Sequence, residues 1–329
     1  MAVRLRGRAL AVSLIAGLLG LTTAGSAQAA FPGTNGRIAF SFGVQVPPSF
    51  EDLSTPSQVY SIRPNGAGLT QLTDVADDQT AAMPDYSPDG TKIVFESNAS
   101  GPYEIWMMNA DGSDQTQLTH RDGFEAFQPS WSPDGEHIVF SSCGEPLGFP
   151  AYCNIDVMNA DGTGRTKLVG GNWIHLRPQY SPDGKRIAFH SDRTGRDAAL
   201  WVVGSDGSGL RRLTPARLEA FWPDWAPNGK RILVSDNCCR PGSNLYTVPS
   251  NGGRAKRITD FGARFADRAF SDYSPNGERI AFFFTRGCSD TTCKAFFTMR
   301  ADGTHLRRVA TGVKTPEPVP IITDWGPGG

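Results

Sequence analysis

Past residue 21 the chain has no apolar run long enough to cross a bilayer, so no span is expected in its body. It has no G-x-S-x-G turn, the mark of an α/β-hydrolase nucleophile. Histidine is scarce, with five in 329 residues, which leaves little material for a histidine-rich metal centre. The stepped ligands of an EF-hand and the tandem nonapeptides of calcium-binding β-rolls are both missing. Charge of one sign is also lacking: the formal net charge is −1, so the sum gives no pull toward nucleic acid or an anionic surface. Lysine is outnumbered by arginine, 7 to 25, a composition associated with GC-rich bacterial genomes.

Glycine and proline, by contrast, are plentiful at 37 and 24, which suits one all-β domain with many turns. The N-terminus stands apart from it. Arg4, Arg6 and Arg8 precede the thirteen-residue apolar run ALAVSLIAGLLGL, and Ala27 and Ala29 occupy the small-residue positions before a signal-peptidase cut. Residues 1–29 are therefore expected to be a signal peptide and 30–329 the exported domain, with a net charge of −4. The destination is the secreted, periplasmic or cell-wall space. A retained anchor is the alternative, disfavoured by the short run.

Turn motifs recur. SPDG stands at 87–90, 132–135 and 181–184, APNG at 226–229 and SPNG at 274–277. A second turn follows each: NADG at 109–112 and 159–162, GSDG at 204–207, SNGG at 250–253 and RADG at 300–303. The spacing of about 45–51 residues is that of propeller blades. Within a unit, alternation such as Ile93, Phe95 and Ile105, Met107 marks strands, four to a unit. Tyr86, Trp131, Tyr180, Trp225 and Tyr273 precede the first turns; core packing between blades is favoured over a ligand-stacking ladder. FPGTNGRIAF at 31–40 has the second half of the repeat, and TDWGPGG at 323–329 its opening. Together they are expected to complete one blade of a six-bladed, four-stranded antiparallel β-propeller.

The pattern aromatic-Ser-Pro-Asp-Gly, apolar strand, Asp-Gly and Leu-Thr resembles the WD-like Pro-Asp repeat of TolB-like propellers over nearly the whole expected mature chain. The resemblance implies a six-bladed propeller, here without the α/β domain that precedes it in TolB, so a Tol–Pal role is not carried over. Prolyl oligopeptidases carry a similar repeat, but with a hydrolase domain for which no residues remain.

In a meandering blade the two turn families share one face, and the variable loops fall on the other, where binding residues tend to gather. That face carries Glu125, His175, Arg177, Glu219, Trp222, Asp267 and Arg268, a mixed-charge candidate ligand pocket set against the plainer reading of solvated loop tips. The second-to-third-strand loops hold all six cysteines. Cys143 with Cys153, and Cys288 with Cys293, are expected to pair locally; Cys238 and Cys239 form either a vicinal disulfide or free thiols. The longest loop, 44–57, is a candidate pore cover or partner contact. Asp85, Asp224, Asp272 and Asp324, with Ser130 and Gln179 at the matching positions, are expected to hydrogen-bond across blade seams; a pore cation such as Ca2+ is the alternative.

No nucleophile constellation is present, so a monomeric, non-catalytic module binding a protein, peptide or cell-envelope glycan is favoured, without cofactor or nucleic acid. A metal-dependent lyase or hydrolase acting on a glycan at the pore mouth is the alternative, because pectin-degrading lyases share a similar repeat. An accessory subunit recognised through loop 44–57 is the third reading.

Overall fold

The computed structural model describes residues 35–43, 56–120, 122–144, 152–193, 195, 198–215, 218–236, 243–260, 265–286, 294–309 and 319–328. The side chains of 265–270, 283–286, 294–295 and 319–323 are not among the described ones. The expected signal peptide, residues 44–55 of the long loop, and Cys238, Cys239, Cys288 and Cys293 lie outside the described residues.

The second blade shows how the repeat folds. Its strands are β4 (Ala81–Tyr86), β5 (Lys92–Ser97), β6 (Glu104–Asn109) and β7 (Thr116–Gln117), antiparallel in that order. Ser-Pro-Asp-Gly joins the first two. The Ser87 hydroxyl donates to Asp89 Oδ1 at 2.6 Å and accepts from Lys92 N at 2.9 Å, while Gly90 N donates to the Ser87 carbonyl at 2.8 Å. A local side chain thus satisfies the backbone that the turn leaves unpaired. The second turn uses its glycine differently. Gly112 has φ 92°, and a Cβ there would lie 2.6 Å from the carbonyl oxygen of Leu72 in the preceding blade. Leu-Thr then ends the unit: Thr119 Oγ1 accepts Ile105 N at 2.8 Å, in place of a fourth-strand carbonyl. Thr73, Thr214 and Thr259 do the same for Val59, Leu200 and Leu245. The fourth strand is consequently only two residues long here, shorter than QTQLT suggests.

The other blades repeat this plan. β8 (Phe124–Trp131), β9 (His137–Gly144), β10 (Cys153–Asn159) and β11 (Thr166–Val169) form the third; the fourth runs from β12 (His175–Tyr180) and β13 (Arg186–Ser191) through β14 (Ala199–Gly204) to β15 (Arg211–Arg212). The fifth comprises β16 (Phe221–Trp225), β17 (Arg231–Ser235), β18 (Leu245–Pro249) and β19 (Lys256–Arg257). The sixth comprises β20 (Phe265–Tyr273), β21 (Arg279–Arg286), β22 (Lys294–Arg300) and β23 (Arg307–Val309). In the first blade, β24 (Val319–Pro327) lies antiparallel to β1 (Asn35–Gly43), with Trp325 opposite Ile38, followed by β2 (Ser57–Ile62) and β3 (Thr70–Gln71). The first strands of successive sheets touch in cyclic order, β24, β4, β8, β12, β16, β20 and back to β24, and so line a central channel.

Between blades lie the cores. Tyr86, Trp131, Tyr180, Trp225, Tyr273 and Trp325 are all buried. Each enters an apolar cluster containing residues of the blade before it, for example Trp225 with Ala188, Leu200 and Val202, and Trp325 with Ala281 and Phe296. They are packing residues. Cys143 and Cys153 face each other across β9 and β10 and form a disulfide, with Cα atoms 4.0 Å apart.

Trp325→Ala is expected to cost about 3–5 kcal/mol of unfolding free energy, the range for a buried tryptophan. Chemical denaturation checks this; a loss below about 1 kcal/mol would show that β24 contributes little to the ring.

Candidate functional site

Four innermost strands share an irregularity. Their register with the second strand shifts between Ala82 and Asp85, Phe127 and Ser130, Leu176 and Gln179, and Phe221 and Asp224. Inside each shift one residue adopts a left-handed backbone: Met83 (φ 53°), Gln128 (56°), Arg177 (55°) and Trp222 (56°). Proline follows every one of them, at 84, 129, 178 and 223. Proline offers no N–H to the ladder and disfavours the right-handed helical region for the residue before it, so a bulge forms. A non-glycine residue held this way costs about 1–3 kcal/mol, and such strain gathers at functional sites.

The bulges bring these side chains together across the channel. Arg177 Nη1 lies 3.3 Å from Met83 Sδ, two blades away, and the guanidinium carbon sits 4.7 Å from the centre of the Trp222 ring. The backbone is tied in as well. Arg177 N donates to Gln128 Oε1 at 2.8 Å, and Gln128 N donates to Glu96 Oε2 at 2.7 Å. His190 packs against the rings of Phe221 and Trp222, at 5.3 and 6.0 Å between centroids. All of these residues except the half-buried Phe221 are buried.

Of the seven expected pocket residues, then, the structure unites Arg177 and Trp222. Glu125 lies opposite Cys143 on β8, where its Oε1 accepts Tyr103 N at 3.3 Å, a local contact between blades. His175 has no exposed surface: Nδ1 is 2.7 Å from Ser191 Oγ, and the ring meets the edge of Phe189 in the core between blades three and four. Burial, followed by the Arg193 charge, pushes it down to about 4. Glu219 is half-buried just before β16. Asp267 and Arg268 fall within β20, and their side chains lie outside the described ones. Sequence reasoning missed Met83, Gln128, Glu96 and His190. The first two stand two residues before Asp85 and Ser130, as Arg177 and Trp222 do before Gln179 and Asp224. Glu96 and His190 share one position on the second strand with Ser41, Ser141 and Ser235.

One step further along the channel sits the aspartate series. Asp324 Oδ2 accepts Tyr86 N, Asp85 Oδ2 accepts Trp131 N and Asp224 Oδ2 accepts Tyr273 N, each at 2.7 Å and each across a blade seam. Ser130 Oγ donates to Gln179 Oε1 at 3.1 Å across another seam. Burial dominates the electrostatics of this interior. It raises Asp85 to about 7 and Glu96 to about 7, against hydrogen bonds from Trp131 and Gln128 and the attraction of Arg177. Asp224 and Asp324 are raised well above the usual range, first by burial and then by neighbouring aspartates. Burial lowers Arg177, and Asp272, Glu96, Asp85 and Asp224 counter it, largest first. His190 is pushed down to about 3 by burial and then by Arg177. Among the described residues, the group of three side chains spaced to share a cation is Asp134, Glu136 and His137, on a surface turn away from the channel.

The model of the TolB beta propeller domain matches residues 18–146 and 128–311. The chain belongs to that family. Among curated relatives, a protein TolB homolog from Chlorobium luteolum is 31% identical over 138 residues, 42% of this chain and 29% of the relative. The Tol-Pal system protein TolB of Alcanivorax borkumensis is 32% identical over 108 residues, 32% of this chain and 24% of its own. The matched part thus spans less than a third of either relative. Among solved structures, TolB from Acinetobacter baumannii superposes with a TM-score of 0.68 at 19% identity, covering 89% of this chain and 67% of that one. An oligogalacturonate lyase in complex with manganese gives 0.57 at 15% identity, covering 79% and 72%. At such identities these two show the fold alone. For this TolB-like propeller, the channel residues therefore carry the functional argument.

A pH dependence follows from Asp85. Its folded pKa, about 7, lies above the ordinary 3.8, so the folded state holds a proton that the unfolded state has released. The stability it contributes is complete below about pH 4 and is lost as pH rises through about 7. Asp85→Asn keeps an acceptor for Trp131 N without the ionisation. Its melting temperature relative to wild type is expected to rise by about 2–4 °C between pH 5 and pH 8. A difference that does not change with pH would show that Asp85 is not held protonated.

Proposed function

We propose that this chain is an exported, non-catalytic propeller that binds a protein or peptide segment of the cell envelope through the loop-bearing end of its channel. One observation carries the reading: strained, proline-followed bulges aim Met83, Gln128, Arg177 and Trp222 at one another across the axis. Packing alone does not call for four left-handed non-glycine residues at one level. An arginine, an indole, a thioether and an amide together offer a cation, a flat apolar surface and paired donors and acceptors. A peptide chain, with its carbonyls, carboxylates and apolar side chains, fits that set. Glu219, half-buried, stands three residues before Trp222 on the segment that leads into β16.

Export rests on the basic, apolar and small-residue succession over residues 4–29. The family supports the setting: a relative named as a Tol-Pal system protein is similar to this chain over 108 residues, although the match spans only part of it. The electrostatics support a preorganised site. Arg177 stays among carboxylates, Asp85 and Glu96, that are only partly ionised near neutral pH, so its charge is not fully cancelled and remains available to an anionic group on the ligand.

The test pairs capture with a designed loss. Residues 30–329, tagged, are used to capture partners from the native envelope, and each captured partner is purified and titrated against the protein. Arg177→Gln with Trp222→Phe removes the cation and the indole but keeps a polar side chain and an aromatic ring, so the propeller should stay folded. Binding of the true partner is expected to weaken at least tenfold, about 1.4 kcal/mol, with the melting temperature little changed. Undiminished binding by a folded double variant would place the site elsewhere.

A further inference from the structure

The small net charge conceals a division. From Asn35 to Val169 the sequence has 18 acidic residues and six basic ones; from Gly170 to Gly329 it has 15 acidic and 23 basic. Folding converts this linear division into a spatial one, because blades two and three and most of blade one occupy one side of the ring and blades four to six the other. The outermost strands show it most plainly. In the first two blades they read Thr70–Gln71 and Thr116–Gln117; in the last three they read Arg211–Arg212, Lys256–Arg257 and Arg307–Arg308.

On blade five the cations line two adjoining concavities. A groove of about 690 Å³ on the turn face between blades five and six is bounded by Arg231, Lys256, Asn228, Asn276 and Asp302. A second of about 510 Å³ on the outer side of blade five is bounded by Arg231, Tyr246, Arg254, Lys256 and Arg257. Arg231 and Lys256 line both, so the two adjoin. Arg231 is held by Thr247, its Nε donating to the hydroxyl and its Nη2 to the carbonyl, both at 2.8 Å. Arg257 pairs with Asp260. Among the described residues, Lys230, Arg254, Lys256, Arg307 and Arg308 have no carboxylate partner.

We propose that this groove and the basic outer edge of blades four to six bind a linear anionic polymer, one carrying repeated phosphate or carboxylate groups along a flexible, base-free backbone. The geometry decides between occupants. Three consecutive blades of a six-bladed ring turn through about 120°, whereas a plane touches such a rim at one blade, so a membrane would engage a fraction of the cations. A flexible chain follows the rim and the groove. Nucleic acid is the weaker fit, because single strands are held by exposed aromatic platforms. The exposed large hydrophobics among the described residues are Tyr152, Trp173 and Leu306, and the aromatic that lines the groove is the half-buried Tyr246, so the described part of this edge offers no fully exposed aromatic platform. The site is separate from the channel and does not depend on the peptide reading.

The probe is long-chain inorganic polyphosphate, titrated against residues 30–329 from low to moderate salt. The variant is Arg254→Ser, Lys256→Thr and Arg257→Gln. Its last two changes reproduce the Thr116–Gln117 pair that blade two already carries at the same register, opposite Met107 and Trp106, so folding should be preserved. Binding at about 0.1 M salt is expected to fall at least tenfold, and the slope of log K against log salt to shrink by about two to three. Arg63→Gln with Lys167→Gln, on the acidic side, should change binding less than about twofold by the same counting. The proposal fails if the wild-type protein does not bind polyphosphate or if the triple variant binds equally. It also fails if phosphatidylglycerol vesicles or single-stranded DNA of equal charge bind more tightly at the same residues. A concentration-dependent dimer abolished by the triple variant would instead assign the edge to a second copy of the chain.

Discussion

Between neighbouring blades, a carboxylate on one innermost strand accepts the backbone N–H of the aromatic residue that ends the next: Asp324 to Tyr86, Asp85 to Trp131, Asp224 to Tyr273. Most of the structure hangs on these bonds. Each satisfies a main-chain donor that no ladder reaches at a seam, and each fixes the aromatic that fills the wedge between blades. The cost is a set of acidic groups inside a channel of low polarity. Their proton uptake and the cation Arg177 are how the protein tolerates them.

The same economy explains why the channel has two levels of different character. Where the aspartates stand, side chains serve the scaffold and are committed to backbone partners. Where the bulges stand, Met83, Gln128, Arg177 and Trp222 face one another, and the scaffold supplies strain. The two levels are only two residues apart on each strand. A bulge therefore lets one short strand hold a neighbouring blade and present a side chain to a ligand.

The fold was legible because its causes are local and repeated. Ser-Pro-Asp-Gly folds by hydrogen bonds within six residues, Asp-Gly by a positive φ, and Leu-Thr by a threonine that replaces a carbonyl. The site was less legible because its cause is conformational. Arg177 and Trp222 drew notice as a charge and an aromatic, whereas Met83 and Gln128 carry no chemical flag, and only the proline after each marks the shared geometry. Glu96 and His190 sit inside strands whose other residues are mostly apolar, so they read as strand filler. His175 misled for the opposite reason: it stands where loops meet the barrel, and the core took it in. The halves of opposite charge were visible in the sequence all along, but a whole-chain sum averages them away.

The glycine of the second turn has a consequence for the size of the ring. Gly112 and Gly162 lie so close to Leu72 and Leu118 of the blade before that an added Cβ would stand 2.6 and 2.8 Å from their carbonyl oxygens. The missing side chain thus sets the angle at which one blade leans on the next. That angle must divide a full circle into a whole number of parts. A methyl group at each such contact would change the angle slightly, yet the chain holds blades for one particular count. The tolerance of the whole circle is written in the smallest residue of its commonest turn.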